Sequence, residues 1–432
     1  MNKAESAEIG DFLDSLGMQR VIAAKEADIA VLNTCVVRQN AEDRVAGMLG
    51  YLKGIKPGHN RMRIVVTGCF VTAEIPYLRR AYPHVDLFFQ PGEIRQFQEW
   101  ILHEYISAES CQCAKNAFPV SAYIPIIQGC NNFCSYCIVP YRRGKERSYN
   151  SEKIVARARE LVAGGTKEIT LVGQNVNAYG KDLGNQKNLG QLLRLIHDID
   201  GIKRIRFLTN HPKDMSNDLI QTITDLPKVC HHICLPLQAG DDLILKAMNR
   251  NYTVDDYKNL VSQIRSAIPD MALSTDIIVG FPGESEDQFL NTSRVIEEIR
   301  FTAVHVAAYS PRTGTLASRM YEDNVPSSEK LRRLHAIEDL QRKILAEDNN
   351  RLVNKNVEVL VEGQKRGKWY GRTYSDKLVF FPDNGNLMGQ TIYVRLTSSS
   401  PWALQGIISP EHVISPTPTR SVAVKRKCHP NC

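Results

Sequence analysis

The sequence predicts an α/β chain in three parts: an N-terminal doubly wound α/β domain, a central partial (βα)6 barrel and a C-terminal small antiparallel β-barrel. Three observations carry this. Short apolar runs alternate with helical patterns over residues 1–110. A strand–helix unit then recurs over 121–350, six times in all, which is too few for a closed eight-fold barrel. From 353 to 415 the chain turns to short strands bounded by turns. Residues 416–432 carry Arg420, Lys425, Arg426 and Lys427 with no acid, and read as a disordered basic tail.

In the first part, Val31-Leu32-Asn33-Thr34-Cys35 and Ile64-Val65-Val66-Thr67-Gly68-Cys69 are apolar runs that end in a thiol. Adjacent parallel strands would set both tips on one sheet edge, where open α/β sheets bind ligands. Two buried, inert cysteines are the alternative. Helices are expected over Glu42–Leu52, Ala73–Ala81 and Gly92–Glu104, with a further strand at Val85–Phe89. Residues 105–120 lose periodicity and read as a linker.

In the second part, strands are expected at Tyr123–Ile127, Glu168–Val172, Arg204–Leu208, His232–Leu237, Ala272–Val279 and Thr302–Tyr309. Helices are expected at Ser151–Ala163, Asp214–Thr224, Tyr252–Ala267 and Glu284–Ile299, and a long charged one at Leu331–Arg351. In the third part, strands fall at Val357–Val361, Trp369–Thr373, Leu378–Phe381 and Ile392–Leu396.

Composition excludes several classes. Fifty-four Lys and Arg against 47 Asp and Glu leave a charge of +7, and 43% of residues are apolar, as in ordinary globular protein. No run of about 18 apolar residues exists, so a membrane span is not expected. No basic and then apolar segment opens the chain, so a cytoplasmic location is expected. Eleven cysteines in such a chain point to metal or redox chemistry before disulfides.

One cysteine group is dense: Gly129-Cys130-Asn131-Asn132-Phe133-Cys134-Ser135-Tyr136-Cys137, a C-x3-C-x2-C. A closed zinc site needs a fourth ligand, usually from paired C-x2-C units. Three thiolates on a 4Fe-4S cube leave one iron open for substrate. Cys111, Cys113, Cys230, Cys234, Cys428 and Cys432 show no comparable spacing. Near the C-terminus, Lys365, Arg366, Lys368 and Arg372 interleave with Trp369 and Tyr370. Cations for phosphates beside rings for unpaired bases suit RNA, and a solvated hairpin is the alternative.

The triplet, with an aromatic before its last cysteine, resembles radical S-adenosylmethionine (SAM) enzymes. Across residues 1 to 415 the chain resembles the methylthiotransferase family of that superfamily, MiaB type, with a C-terminal TRAM domain. Four stretches carry this: Asn33-Thr34-Cys35-Val36-Val37-Arg38-Gln39-Asn40-Ala41-Glu42, Tyr141–Ser148, Leu171–Gly180 and Lys368–Phe381. The resemblance implies two 4Fe-4S clusters and SAM. Cys130, Cys134 and Cys137 would hold the radical SAM cluster. The family's first domain opens with a strand and Gly-Cys-x-Met-Asn, whereas this chain begins Met1-Asn2-Lys3-Ala4-Glu5-Ser6. Cys35 and Cys69 would therefore hold the auxiliary cluster with the third ligand missing. Tyr136, Gln174, Asn175, Gln238 and Asp276 fall where the family contacts SAM, and Arg143 and Arg147 could pair with a carboxylate or phosphate. Lys365, Arg366, Lys368, Trp369 and Arg372 would grip RNA.

The implied reaction is radical methylthiolation of carbon 2 of N6-isopentenyladenosine, at position 37 beside the tRNA anticodon. The expected partner is the anticodon stem-loop, with no membrane, an unidentified electron donor and sulfur source, and a monomeric enzyme. Three alternatives remain at this point. They are a catalytically incomplete RNA-binding iron–sulfur protein, and a methylthiotransferase acting on threonylcarbamoyladenosine or on a ribosomal protein.

Overall fold

The computed structural model describes residues 1–34, 39–59, 61–71, 74–105, 118–184 and 187–409, with backbone alone for 39–41. Cys35, Cys111, Cys113, Cys428 and Cys432 lie outside the described residues, as do the tail at 416–432 and most of the linker.

The N-terminal part runs α1 (Asn2–Ser15), β1 (Ile29–Thr34), α2 (Gln39–Ile55), β2 (Arg63–Gly68), α3 (Ile75–Ala81), β3 (Leu87–Phe88) and α4 (Ile94–Tyr105). The three strands form one parallel sheet in the order β1-β2-β3. Alternation along β2 decides the layers. Ile64 and Val66 pack with Leu49, Leu52 and Leu78 on the α2–α3 side. Val65 packs with Ile9, Phe97 and Ile101 on the α1–α4 side. This is the doubly wound arrangement expected, with one addition: α1, whose weak amphipathic pattern gave no signal.

The central part runs β4 (Ser121–Pro125), β5 (Ile127–Gln128), α5 (Val139–Arg143), β6 (Arg147–Ser148), α6 (Ser151–Ala163), β7 (Glu168–Val172), α7 (Leu189–His197), β8 (Arg204–Phe207), α8 (Asn217–Asp225), β9 (His232–Cys234), α9 (Asp242–Ala247), α10 (Val254–Ala267), β10 (Ala272–Val279), α11 (Glu286–Ile299), β11 (Ala303–Ala308), α12 (Leu316–Met320) and α13 (Ser327–Asn350). β4-β7-β8 and β9-β10-β11 are parallel sheets joined through a single Ile205–Val229 pairing. Six parallel strands in sequence make the partial barrel, open between β4 and β11. Capping residues set the helix starts: Asn150 accepts from Lys153 N, and Thr253 and Ser285 form reciprocal boxes with Asp256 and Gln288.

Outward residues Ile169, Leu171, Ile205, Phe207, Leu273 and Ile277 join the helices in one core. By alternation the inward face carries Glu168, Thr170, Arg204, Arg206, Ser274 and Asp276. A closed barrel fills its centre with branched apolar side chains. This lumen is polar, as a ligand chamber needs.

The C-terminal part is a closed barrel of β12 (Asn356–Lys365), β13 (Lys368–Arg372), β14 (Leu378–Phe381), β15 (Thr391–Ser399) and β16 (Leu404–Ile408), in the order β12-β13-β14-β16-β15. β16 has no strand signal in the sequence, because Gly406 interrupts a five-residue run. It nonetheless closes the barrel, and its pairing with β14 is parallel. Two arginines on β8 dock this barrel beneath the central one. Arg204 donates to Arg372 O (2.6 Å) and Glu358 Oε1 (2.9 Å). Arg206 donates to Glu168 Oε2 (2.9 Å), Thr373 O (2.7 Å) and Tyr374 O (3.1 Å).

Candidate active site

The cysteine loop follows β4 and β5 and so opens at the ligand-facing end of the barrel. Gly129 makes the turn possible. Its φ is +77°, and a Cβ there would run into the carbonyl oxygen of Lys145. Its N–H donates to Gln174 Oε1 (2.7 Å), and Cys130 N donates to Gly144 O (3.1 Å). Further along, Ser135 N donates to Met248 O (2.9 Å), Asn249 Nδ2 to Phe133 O (2.9 Å) and Ala317 N to Ser135 O (2.7 Å). The loop is therefore sewn to distant parts of the same barrel.

A buried cation stands behind the loop. Arg250 donates to Cys134 Sγ (3.3 Å), Pro236 O (2.9 Å) and Tyr252 Oη (2.8 Å). Burial opposes its charge, but Tyr136, Tyr252 and Cys134 outweigh burial and hold its pKa above the ordinary value. None of its hydrogen-bond partners is a carboxylate. A buried guanidinium without a carboxylate asks for another anion. Deprotonated thiolates supply one. Burial pushes the Cys130 thiol up and the Cys137 thiol up to about 12, so a metal bound here would have to displace protons.

Among the described residues, no three His, Cys, Asp or Glu side chains converge on one point as a single metal ion requires. A cluster with a ligand on each of three irons asks for a wider set. The donor chemistry, the waiting cation and the spacing thus fit a 4Fe-4S cluster better than zinc.

The expected SAM contacts lie around the same mouth. Tyr136 packs beside Ile244, Met248 and Phe281, and burial raises its hydroxyl pKa well above the usual range. The Gln174 oxygen is engaged by Gly129, leaving its amide N–H groups for a ligand. Asn175 donates to Asp214 Oδ2 (2.7 Å), while its Oδ1 is buried without a partner among the described residues, an acceptor suited to an ammonium. The expected strand to Leu237 stops at Cys234; Gln238, four residues on, makes an isolated bridge to Ile277 with a φ of +76°, and such backbone strain clusters at ligand sites. Its backbone is tied to Asp276 O and Ile278 N (both 2.9 Å). Asp276 lies on the inward face of β10.

The second pair of cysteines is half visible. β1 and β2 end in register, Thr34 beside Gly68, and Cys69 N donates to Thr34 O (2.9 Å). The two strand tips therefore share one sheet edge, as the sequence implied. Cys69 is buried, and its sulfur accepts from Arg143 Nε (3.2 Å). Arg143 also donates to Glu5 Oε1 (2.7 Å) and Asn2 Oδ1 (3.0 Å). Its carboxylate partner is thus within the chain, while Arg147 is exposed on β6.

Two RNA expectations change. Trp369 is not on the surface. It is only 5% exposed, within the C-terminal barrel core beside Val361, Phe381 and Leu396, so it cannot stack on a base. Arg372 is half-buried against Asp376 (3.3 Å) and Glu362 (3.8 Å) at the docking end of β13. Lys365, Arg366 and Lys368 are exposed at the opposite end, on the β12–β13 tip.

Sequence reasoning missed Arg250 and Tyr252. They lie 116 and 118 residues from Cys134, and the local signal was no more than a cation and a ring ahead of the Thr253 cap.

Comparisons with known proteins agree with this geometry. Residues 124–296 match the radical SAM superfamily, 1–90 the uncharacterized protein family UPF0004 and 350–408 the TRAM domain. A tRNA-2-methylthio-N(6)-dimethylallyladenosine synthase from Dehalococcoides mccartyi is 45% identical over 405 residues, covering 94% of this chain and 95% of the relative. One from Acetivibrio thermocellus is 42% identical over 427 residues, covering 94% and 88%. Among solved structures, a radical SAM methyltransferase, TsrM, from Kitasatospora setae with cobalamin and a [4Fe-4S] cluster bound has a TM-score of 0.50 at 13% identity. It covers 67% of this chain, which spans 63% of that one, and shows a shared fold. The identity and coverage of the synthases go further: this chain belongs to the tRNA-2-methylthio-N(6)-dimethylallyladenosine synthase family of radical SAM enzymes.

Proposed function

We propose that the enzyme methylthiolates carbon 2 of N6-isopentenyladenosine at position 37 of tRNA, using SAM and a 4Fe-4S cluster held by Cys130, Cys134 and Cys137. The observation that carries this is the buried Arg250 behind the cysteine loop, a cation without a carboxylate partner among the described residues, in a chain 45% identical to a named synthase. When bound, the cluster and SAM supply radical hydrogen abstraction. The chain's own residues do the rest. Arg250 balances thiolate charge and donates to Cys134 Sγ. Tyr252 Oη, donating to Leu237 O (2.9 Å), ties that cation to the end of β9's strand unit. Asn175 Oδ1 and the Gln174 amide orient the amino acid end of SAM. The polar lumen holds the target base away from bulk water.

Cys35 and Cys69 would hold a second, auxiliary cluster that supplies sulfur, with its third ligand missing. RNA approaches as an anticodon stem-loop, already single-stranded at the target base, so little unstacking is needed. Lys365, Arg366 and Lys368 meet its phosphates. The work is cytoplasmic and the active unit is one chain. The two other methylthiotransferase readings and the incomplete-enzyme reading fit the named relatives less well.

The test is anaerobic reconstitution followed by incubation with SAM, reductant and tRNA bearing N6-isopentenyladenosine. Mass spectrometry of the digested nucleosides is expected to show a methylthio group in place of one hydrogen. Unmodified nucleoside with a full complement of iron would reject the reading.

A further inference from the structure

A six-stranded barrel has two lips, here β4 and β11, and the gap between them must be closed by something else. The N-terminal layer does this: α1 packs against β4, Gln128 Nε2 on β5 donates to Pro91 O (2.9 Å), and Arg157 on α6 pairs with Asp11 on α1. Two further contacts stand out by burial. Arg143 ends α5, six residues after Cys137 on the β4 side, and its side chain is 2% exposed. Arg312 follows β11 on the other lip and is 7% exposed. Both reach into the N-terminal layer for a carboxylate: Arg143 to Glu5 on α1, and Arg312 Nη2 to Glu42 Oε2 on α2 (2.9 Å).

We propose that Arg143 and Arg312 are positioning residues, a clamp on each lip that fixes Cys69 and the first turn of α2 against the barrel that carries Cys130–Cys137. Each clamp lands at one of those two points. Arg143 touches Cys69 itself, and Glu42 lies in the first turn of α2, seven residues after Cys35. Adhesion alone would be served as well by apolar side chains, because desolvation cancels most of the attraction in a buried ion pair. What a buried Arg–carboxylate pair adds is register, through the fixed fork of the guanidinium. Sulfur transfer needs that register, since a sulfur on one domain must meet a carbon held by the other. This last step rests on the function proposed above, whereas the clamp does not.

The test uses the full chain as Arg143→Gln, as Arg312→Gln, and as the exchange Glu42→Arg with Arg312→Glu. In cluster-free protein, iodoacetamide labelling of Cys69, read by peptide mass spectrometry, should speed up at least ~10-fold in each single variant, in line with loss of a buried pair. The exchange should return it toward the parent rate. In reconstituted enzyme, each single variant should still cleave SAM. It should release several-fold more 5'-deoxyadenosine per methylthiolated nucleoside. Parent-like labelling in both single variants, or an exchange as fast as they are, overturns the clamp. Faster labelling with an unchanged ratio overturns the positioning role and leaves adhesion. If the parent makes no methylthiolated nucleoside, the function fails while the labelling still decides the clamp.

Discussion

The two cysteine loops are built on opposite plans. The Cys130–Cys137 loop is braced by its own barrel: Arg250, Met248, Asn249 and Ala317 all belong to the central part. The Cys69 loop is braced from outside. Its sulfur accepts from Arg143, which stands on the other domain and reaches Glu5 and Asn2 with its remaining nitrogens. Each sulfur thus receives an N–H from a buried arginine, yet one arginine is intradomain and the other crosses a boundary. An N–H to a ligand sulfur is a known lever on cluster potential and retention. The contrast implies that the first loop keeps its shape wherever the barrel folds, while the Cys69 loop depends on docking.

The largest expected effect separates the two loops outright. Cys134→Ala should lower SAM cleavage by at least ~100-fold. Cys69→Ala should leave cleavage in place and remove the methylthiolated product. Equal loss of 5'-deoxyadenosine in both would break the contrast. Next comes the pair of arginines. Arg250→Gln leaves the Tyr252 hydroxyl and Cys134 without their donor and takes one of two donors from Pro236 O, at a cost on the order of 3 kcal/mol. Melting temperature and iron bound by Cys130–Cys137 should both fall, whereas Arg143→Gln should keep that iron. Iron analysis of the two variants, each with Cys69 also replaced by Ala, compares them directly.

A smaller effect belongs to the C-terminal tip. Replacing Lys365, Arg366 and Lys368 by Ala should weaken tRNA binding about tenfold at low salt and flatten the salt dependence by about two to three charges, with iron unchanged. Trp369→Ala should act differently, lowering stability by roughly 3 kcal/mol through a core cavity. Titrations across salt and thermal melts distinguish the two.

The smallest effect is an acid sensitivity of the barrel. Burial pushes His211 down to about 2 and His232 down to about 4. Below about 6.5 the unfolded chain binds protons that the folded barrel refuses. Stability is therefore whole above 6.5 and declines as pH falls toward 4. At pH 5.5 each histidine should cost about 1.4 kcal/mol. His232→Gln should recover about that much in melts at pH 5.5 and change little at pH 7.5.

Most of the architecture was legible in the sequence. β7, β10, α6 and β14 begin and end where the periodicity puts them, because strand and helix periods are local properties of burial. β16 was not, since a five-residue run with a glycine earns its strand state from barrel closure. The triplet was legible because its spacing places three thiols on one loop whatever surrounds them. Gln174 and Asn175 do follow the end of β7, as the pattern implied, whereas Gln238 lies four residues beyond β9. The RNA surface was only partly so. Composition suggested that Lys368, Trp369, Tyr370 and Arg372 act together, but alternation sends Trp369 into the core, away from Lys368.

The sequence by itself determined which residues share a loop, a strand face or a helix turn, since each depends on a handful of neighbours. Only the tertiary structure decided which charges those loops meet. Arg250 is 116 residues from Cys134, and Arg143 is 138 from Glu5 and 74 from Cys69. Such pairs follow from how whole elements pack. No local period records that, so the thiols and Arg143 could be read from the chain, while Arg250 and the partners of both arginines could not.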